Sequence, residues 1–419
     1  MKILHLVGGS IDSGAGKGAL WLHLAQLEVG IDSSLLTNSI INDDLNSFNI
    51  LSTHNKKFLN FSLKIKRKIF GFLPLRFYRN RKKTIFSTGF YGINFLKLDC
   101  YKNADIIHFH WINGLVSIDQ INKINKPIVW TLRDMWPFTG GCHISLGCDH
   151  YLKNCGNCPQ LNSKIEHDLS YFIFKKKLKK YSENITLVGI SNWISKCAKE
   201  SKIFKQNRIE TISNNVNTNL FKPLNKEYAR DLLKIEQNKK IILLGAEVLE
   251  EPWKGFNKFA ESIKYLKSEN LHYLFFGNIN KENIEKLNIS YTSLGKISTI
   301  EEISIIYSAA DVFVAPSLYD SFGKTLVESM SCETLVVCFN ATGPKDIVEH
   351  KITGYKAMPY NSEDLANGIN WVLNLDKNEY FKLARLARER AINLFDSINI
   401  ANKYHLLYSD ILKSNIFNQ

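Results

Sequence analysis

No stretch of this 419-residue chain stays apolar for long enough to cross a bilayer. The opening MKILHLVGG lacks the basic region, apolar core and cleavage site of a signal peptide and reads instead as a first strand. The expected location is therefore the cytoplasm. Low-complexity tracts and short internal repeats are absent. Acidic residues are missing from Leu45 to Leu98, although the whole chain has 40 of them against 54 Lys and Arg. That acid-free stretch interleaves Lys56, Lys57, Lys64, Lys66, Arg67, Lys68, Arg76, Arg79, Arg81, Lys82 and Lys83 with apolar groups such as Phe58, Phe61, Phe70, Phe72 and Phe77. Such a mixture suits an anionic membrane surface, or else a solvated face over an ordinary core. Nucleic acid is not expected as a partner, because no helix-turn-helix, zinc-finger or RNA-recognition signature accompanies the charge.

What is present fits a globular protein. Hydrophobic residues make up 45% and charged residues 22%, and the length allows two or three domains. Strand-like runs KILHLVG, DIIHFHW (105–111), PIVWTL (127–132) and ITLVGIS (185–191) form one series. A second series holds KIILLGA (240–246), HYLFFG (272–277), YTSLG (291–295), DVFVAPS (311–317) and TLVVCF (334–339). Helical patterns fall between them, for instance over 255–267, 300–310, 324–332, 362–374 and 378–394. Strands alternating with helices predict parallel sheets covered on both faces, and two series predict two doubly wound domains. The polar segment NNVNTNLFKP (214–223) marks the boundary.

In open parallel sheets ligands sit beyond the carboxyl ends of the strands, which directs attention to four places. GGSIDSGAGKGAL follows the first strand; its glycines could bring backbone N–H groups against a phosphate, or simply make a turn. It is neither a P-loop, since Ile11 and Gly18 occupy required positions, nor a dinucleotide fingerprint. An ATPase or a dehydrogenase is thereby disfavoured. His108 and His110 share a strand face by their period of two, but no further metal ligands are evident nearby. Lys254 lies just after KIILLGA, where a lysine could neutralise a leaving diphosphate. The sharpest pattern is PSLYDSFGKTLVESM (316–330), in which a strand leads through glycine into a helix, with seven residues between Asp320 and Glu328. N–H groups from Phe322 through Gly323, Lys324, Thr325 and Leu326 could bind phosphate there, and Glu328 could accept two ribose hydroxyls.

Four of the eight cysteines cluster in GGCHISLGCDHYLKNCGNCPQL. Cys155-x2-Cys158 has the spacing of half a zinc site, whereas Cys142 and Cys148 stand five residues apart. Structural zinc on these four, with His143 or His150 as substitutes, competes with a loop of buried thiols. Cys100, Cys197, Cys332 and Cys338 read as core.

Taken in order, SGAGKG, DIIHFHW, VWTLRDMWPFTGGCHI, SNWISKCAKES, NNVNTNLFKP, LEEPWKGF, YSAADVFVAPSLYDSFGKTLVESM, NATGPKDIVEHKITGY and SEDLANGINWVL resemble the retaining GT-B glycosyltransferases of family 4 over nearly the whole chain. The Cys-rich and TLRDMWPFTGGCHI pieces resemble a branch that builds bacterial capsule, exopolysaccharide or O-antigen. The resemblance implies an α/β GT-B fold, two Rossmann-like domains with an interdomain cleft. An acceptor domain would occupy 1–220, a nucleotide-sugar domain 221–395, and a helical segment at 396–419 would pack back on the first. It implies a metal-independent transferase without a cofactor, a UDP- or GDP-sugar donor and a saccharide acceptor on a polyprenyl lipid. It gives Asp320 the donor-sugar hydroxyls, Glu328 the ribose, Lys254 the diphosphate, Gly16 a place near the diphosphate, Ile297 a place in the donor site, and His110 a position facing donor and acceptor sugars. Catalytic roles then fall to His110, Lys254 and Asp320. Departures are the short Asp320 where Glu is usual, no arginine beside the lysine, Arg133 where this branch often has His, and Glu333 in place of a common glycine. A sugar-nucleotide epimerase of the same fold and a non-catalytic subunit binding nucleotide or polysaccharide are the alternatives.

Overall fold

The computed structural model describes residues 1–38, 47–49 and 65–416, so Lys56, Lys57 and Lys64 of the basic stretch lie outside the described residues. The chain divides into two compact units, 1–212 with 400–419, and 213–399. The divisions fall at 212/213 and 399/400, where the sequence suggested 220/221 and 395/396.

In the first unit seven strands form one parallel sheet: β1 (Lys2–Val7), β2 (Asp32–Thr37), β3 (Ser47–Asn49), β4 (Ile106–Phe109), β5 (Ile128–Leu132), β6 (Ile185–Gly189) and β7 (Ile209–Thr211). Their order is β3-β2-β1-β4-β5-β6-β7, with His5 of β1 beside His108 of β4. β4, β5 and β6 are buried at every residue, as central strands covered on both faces must be. Helix α1 (Gly14–Glu28) follows β1, capped by the Ser13 hydroxyl, which accepts from Gly16 N–H at 3.1 Å. Helix α2 (Leu169–Lys180) is capped by Asp168, whose carboxylate accepts from Ser170 and Tyr171 N–H.

The second unit has β8 (Lys240–Val248), β9 (Leu271–Asn278), β10 (Tyr291–Ser293), β11 (Val312–Ala315), β12 (Val336–Phe339) and β13 (Gly354–Ala357), ordered β10-β9-β8-β11-β12-β13. Helices α3 (Ile300–Ala309), α4 (Lys324–Ser331) and α5 (Lys377–Phe395) belong to it. Numbered within each unit, both sheets run 3-2-1-4-5-6, with a seventh strand added in the first. That is the Rossmann order, in which the chain reverses direction across the sheet between strands 1 and 4 and leaves a ligand crevice there.

After α5 the chain enters α6 (Ser397–Ile416) and returns to the first unit. Ile400, Tyr404, Leu407, Tyr408 and Ile411 recur on one helical face and are buried with Ile3, Leu22, Ile106, Val129 and Val188. Each such aliphatic side chain contributes roughly 1.5–3 kcal/mol on burial. The first unit's core is therefore built from both ends of the described chain. No helix among the described residues is long and apolar enough to cross a membrane.

Candidate active site

In the second unit the switch point lies between β8 and β11. The turn after β8 ends in a short 3-10 segment, Pro252–Lys254, and Gly255 follows at φ 72°. A Cβ on Gly255 would stand 1.9 Å from Pro316 O, so only glycine allows this turn to reach the loop after β11. Leu318 N–H donates to Trp253 O at 2.7 Å and locks the two together. The result is an ion pair, with Lys254 Nζ 2.7 Å from Asp320 Oδ2 and both side chains partly open to solvent. Phe322 N–H donates to the other carboxylate oxygen at 3.1 Å. Burial pulls the Asp320 carboxyl upward, but Lys254 and the N–H groups of Phe322 and Gly323 outweigh it and hold it below the usual range.

Gly323, at φ 102°, turns the chain into α4, so Lys324, Thr325 and Leu326 form its first turn. Glu328 lies one turn further on, buried, and its carboxylate accepts from Tyr307 O–H at 3.0 Å. Lys254, Asp320 and the start of α4 thus meet at one strand end. Ile297 emerges half-buried from the edge strand β10, two strands from β8.

In the first unit the corresponding switch point lies between β1 and β4. Gly8 N–H donates to Trp111 O at 2.6 Å, and a Cβ on Gly16 would stand 2.2 Å from Ser10 O, so the glycine-rich loop folds tightly onto the start of α1. Beside it His110 is buried, and parallel register sets His5 opposite His108 and within hydrogen-bond reach of His110, a third imidazole that sequence spacing did not reveal. The ligand atoms of His5, His108 and His110 lie within 4.8 Å of one another.

A single placement of protons satisfies this cluster. Arg133, which can only donate, gives an N–H to His110 Nδ1 at 3.3 Å. His110 Nε2–H donates to His5 Nδ1 at 2.9 Å, and His5 Nε2–H to Gln26 Oε1 at 2.7 Å. The Gln26 amide donates to Tyr408 O at 3.0 Å, Tyr408 O–H to His108 Nδ1 at 2.6 Å, and His108 Nε2–H to Thr131 Oγ1 at 2.7 Å. The chain ends at Tyr404, 2.7 Å from Thr131. All three rings are neutral in this arrangement. Burial first, then neighbouring imidazoles and Arg133, pushes His5 down to about 3 and holds His108 and His110 well below 6.5. Burial also lowers Arg133, to about 10, which leaves it charged at neutral pH.

Further along the first unit, Cys142, Cys148, Cys155 and Cys158 line one cavity of about 20 Å³ together with His150. None of the four is in a disulfide. His143 faces elsewhere, held by Asp134 at 2.6 Å and Ser87 at 2.9 Å. A larger cavity of about 470 Å³ opens beside the glycine-rich loop, with Ser10, Asn38, Ser87, Trp111 and Asn113 on its walls.

Residues 225–391 match the family described as glycosyl transferases group 1. The N,N'-diacetylbacillosaminyl-diphospho-undecaprenol alpha-1,3-N-acetylgalactosaminyltransferase of Campylobacter jejuni is 27% identical over 220 residues, half of this chain and 56% of that protein. The capsular polysaccharide biosynthesis glycosyltransferase CapM of Staphylococcus aureus is 24% identical over 238 residues, 54% of this chain and 62% of its own. The chain thus spans little more than half the length of these curated relatives. HepE of Anabaena in complex with UDP-glucose superposes with a TM-score of 0.66 over 98% of this chain and all of that one, at 16% identity. These likenesses show the GT-B fold over the chain and match residues 225–391 to the glycosyl transferases group 1 family.

Proposed function

We propose that the protein transfers a sugar from a nucleotide-sugar donor to a saccharide acceptor, with retention at the anomeric carbon, in the assembly of a bacterial surface polysaccharide. The observation that carries this reading is the Lys254–Asp320 pair at the start of α4, with Glu328 one turn beyond. A diphosphate meeting that helix start finds N–H groups and a cation, while Asp320 and Glu328 offer carboxylates to the donor-sugar and ribose hydroxyls. As the anomeric C–O bond breaks, its electron pair goes to the diphosphate, and Lys254 and the helix start stabilise that charge. The acceptor hydroxyl attacks the same face and gives its proton to the leaving phosphate oxygen. No divalent metal enters this scheme. His110 serves it as a neutral ring whose orientation Arg133 and His5 hold.

The named relatives support the choice of substrates: one carries an undecaprenol-diphosphate acceptor in its name, and HepE holds UDP-glucose. A UDP-sugar is thus the first donor to try, with GDP-sugars second. The acceptor falls to the first unit, whose 470 Å³ cavity has the polar walls a saccharide needs. A lipid-linked acceptor also gives meaning to exposed Lys66, Arg67 and Lys68 beside exposed Ile69, Phe70, Phe72 and Phe77, a face suited to anionic headgroups at the cytoplasmic side of a membrane. Calorimetry with UDP and GDP tests the donor half. Glu328→Gln should weaken nucleotide binding by about tenfold, the scale of one charged hydrogen bond. Equal affinity in the variant, together with no hydrolysis of any nucleotide sugar by the wild type, would overturn the reading.

A further inference from the structure

The cysteine cluster is used by nothing in the transfer reaction, yet the first unit is folded around it. Cys142 sits on an antiparallel bridge to Phe86, Cys155 and Cys158 lie on a loop before α2, and Cys148 lies between them in sequence, yet all four side chains reach one small cavity. We infer that these four thiolates hold a structural zinc ion, which fixes the loop from Asp134 to Asp168 against the acceptor-side cavity.

Three observations carry this. First, hydrogen-bond donors converge on the sulfurs. Gly140 N–H donates to Cys155 Sγ at 3.2 Å, and the N–H groups of Gln160 and Leu161 point to Cys158 and that of His150 to Cys148. Donors two and three residues after a ligating cysteine stabilise thiolate far more than neutral thiol. Second, Lys177 of α2 is wholly buried beside Cys142 and Cys155. Its ammonium donates to Trp136 O and, at 3.0 Å, to Thr139 O, and rests 3.6 Å over the Trp136 ring. Burial lowers this amine to about 7, and a nearby anion would favour its charged form. Zinc with four thiolates carries a net charge of about −2 and would add to the Asp134 carboxylate on that side, whereas four neutral thiols add nothing. Third, the loop is pinned within and just after the ligand segment. Asp168 takes the Cys158 N–H at 2.8 Å while capping α2, and His150 Nδ1–H donates to Gly156 O at 2.9 Å.

The histidine cluster is the competing place for such an ion, and its imidazole nitrogens are the more closely spaced set among the described residues. Electrostatics decides against it. Every ring nitrogen there already has a partner, and a metal ion would stand beside the charged Arg133, which already lowers the His108 and His110 rings. Around the cysteines the charges complement each other. The four sulfurs are gathered less closely than the imidazole nitrogens, and an ion bonding at about 2.3 Å to each would draw them together.

The ion's effect reaches the acceptor side through Phe86, which bridges to Cys142 and also lines the 470 Å³ cavity. The test is elemental analysis of the full chain purified without added metal, followed by cobalt exchange. About one zinc per chain is expected, and the cobalt form should show the intense visible bands and sulfur-to-cobalt charge transfer of a tetrahedral thiolate site. Cys158→Ser should lose most of the metal, and Cys338→Ser, on β12, should keep it. If the cluster variant fails to fold, the wild-type zinc content and cobalt spectrum still decide. Metal-free protein with four titratable thiols, or a Cys155–Cys158 disulfide found by mass spectrometry, would sink the proposal.

Discussion

The two units share one strand order and put opposite chemistry at its switch point. In the second unit a lysine and a carboxylate meet, partly open to solvent, beside a helix start. In the first unit three imidazoles are sealed among β1, β4 and α6 and kept neutral by burial. A charged, accessible crevice can bind and stabilise changing charge. A dry relay of neutral hydrogen bonds cannot, but it fixes geometry closely because every member is oriented by the next. The same topology therefore carries an accessible ion pair in one unit and a sealed, neutral relay in the other.

Acid is the strongest way to break this contrast. The folded pKa values of His5, His108 and His110 lie below the unfolded value near 6.5, so the unfolded chain binds more protons and stability rises with pH. Their contribution is complete above about pH 6.5 and falls below it, by roughly 1.4 kcal/mol per pH unit for each ring, or about 4 for three. For His5 the loss continues to about pH 3. Calorimetry from pH 7.5 to 5.5 should show the first unit's transition dropping steeply. His272 and His350 of the second unit, lowered less, should give a shallower slope, and Asp320 begins to protonate only below the ordinary carboxylate range. Parallel slopes for the two units would erase the distinction. Next in size, Lys254→Ala should cut turnover by about a hundredfold with Tm nearly unchanged, since a partly exposed pair adds little stability; wild-type turnover in the variant removes Lys254 from the chemistry. The smallest effect sharpens the comparison at the surface. Vesicle sedimentation should show binding to anionic lipid that weakens with salt and drops about tenfold when Lys66, Arg67 and Lys68 become Glu, since salt screens most of the roughly 1 kcal/mol that each charge is worth at the surface. Equal binding to neutral vesicles would leave that face merely solvated.

Much of the architecture was legible because central parallel strands are apolar runs. β2 escaped notice because it reads DSSLLT; Ser33 is nonetheless buried, and its hydroxyl meets His23 at 2.7 Å. A polar residue satisfied by a partner elsewhere in the chain hides a strand from periodicity. The 255–267 helix stops early, giving way at Ile263 to a 3-10 turn. At the sites, Lys254 and Asp320 were each readable from their strand ends, but not that they pair, which depends on the close approach at Gly255. His5 looked like one more position in a strand, and only register sets it beside His108 and His110. Lys177 lay in no motif, because a buried ammonium has no signature along the chain.

The way α6 completes the first unit has a consequence for synthesis. Tyr404 and Tyr408, which close the histidine relay and fill the core over β1 and β4, are translated after the whole second unit. At about 5–20 residues per second, the nascent first unit waits roughly 10–40 s with that flank of its sheet uncovered. During that interval it exposes apolar surface of the kind that chaperones bind. A frameshift near residue 400 would leave the second unit whole and cripple the first, the one more distant in the gene.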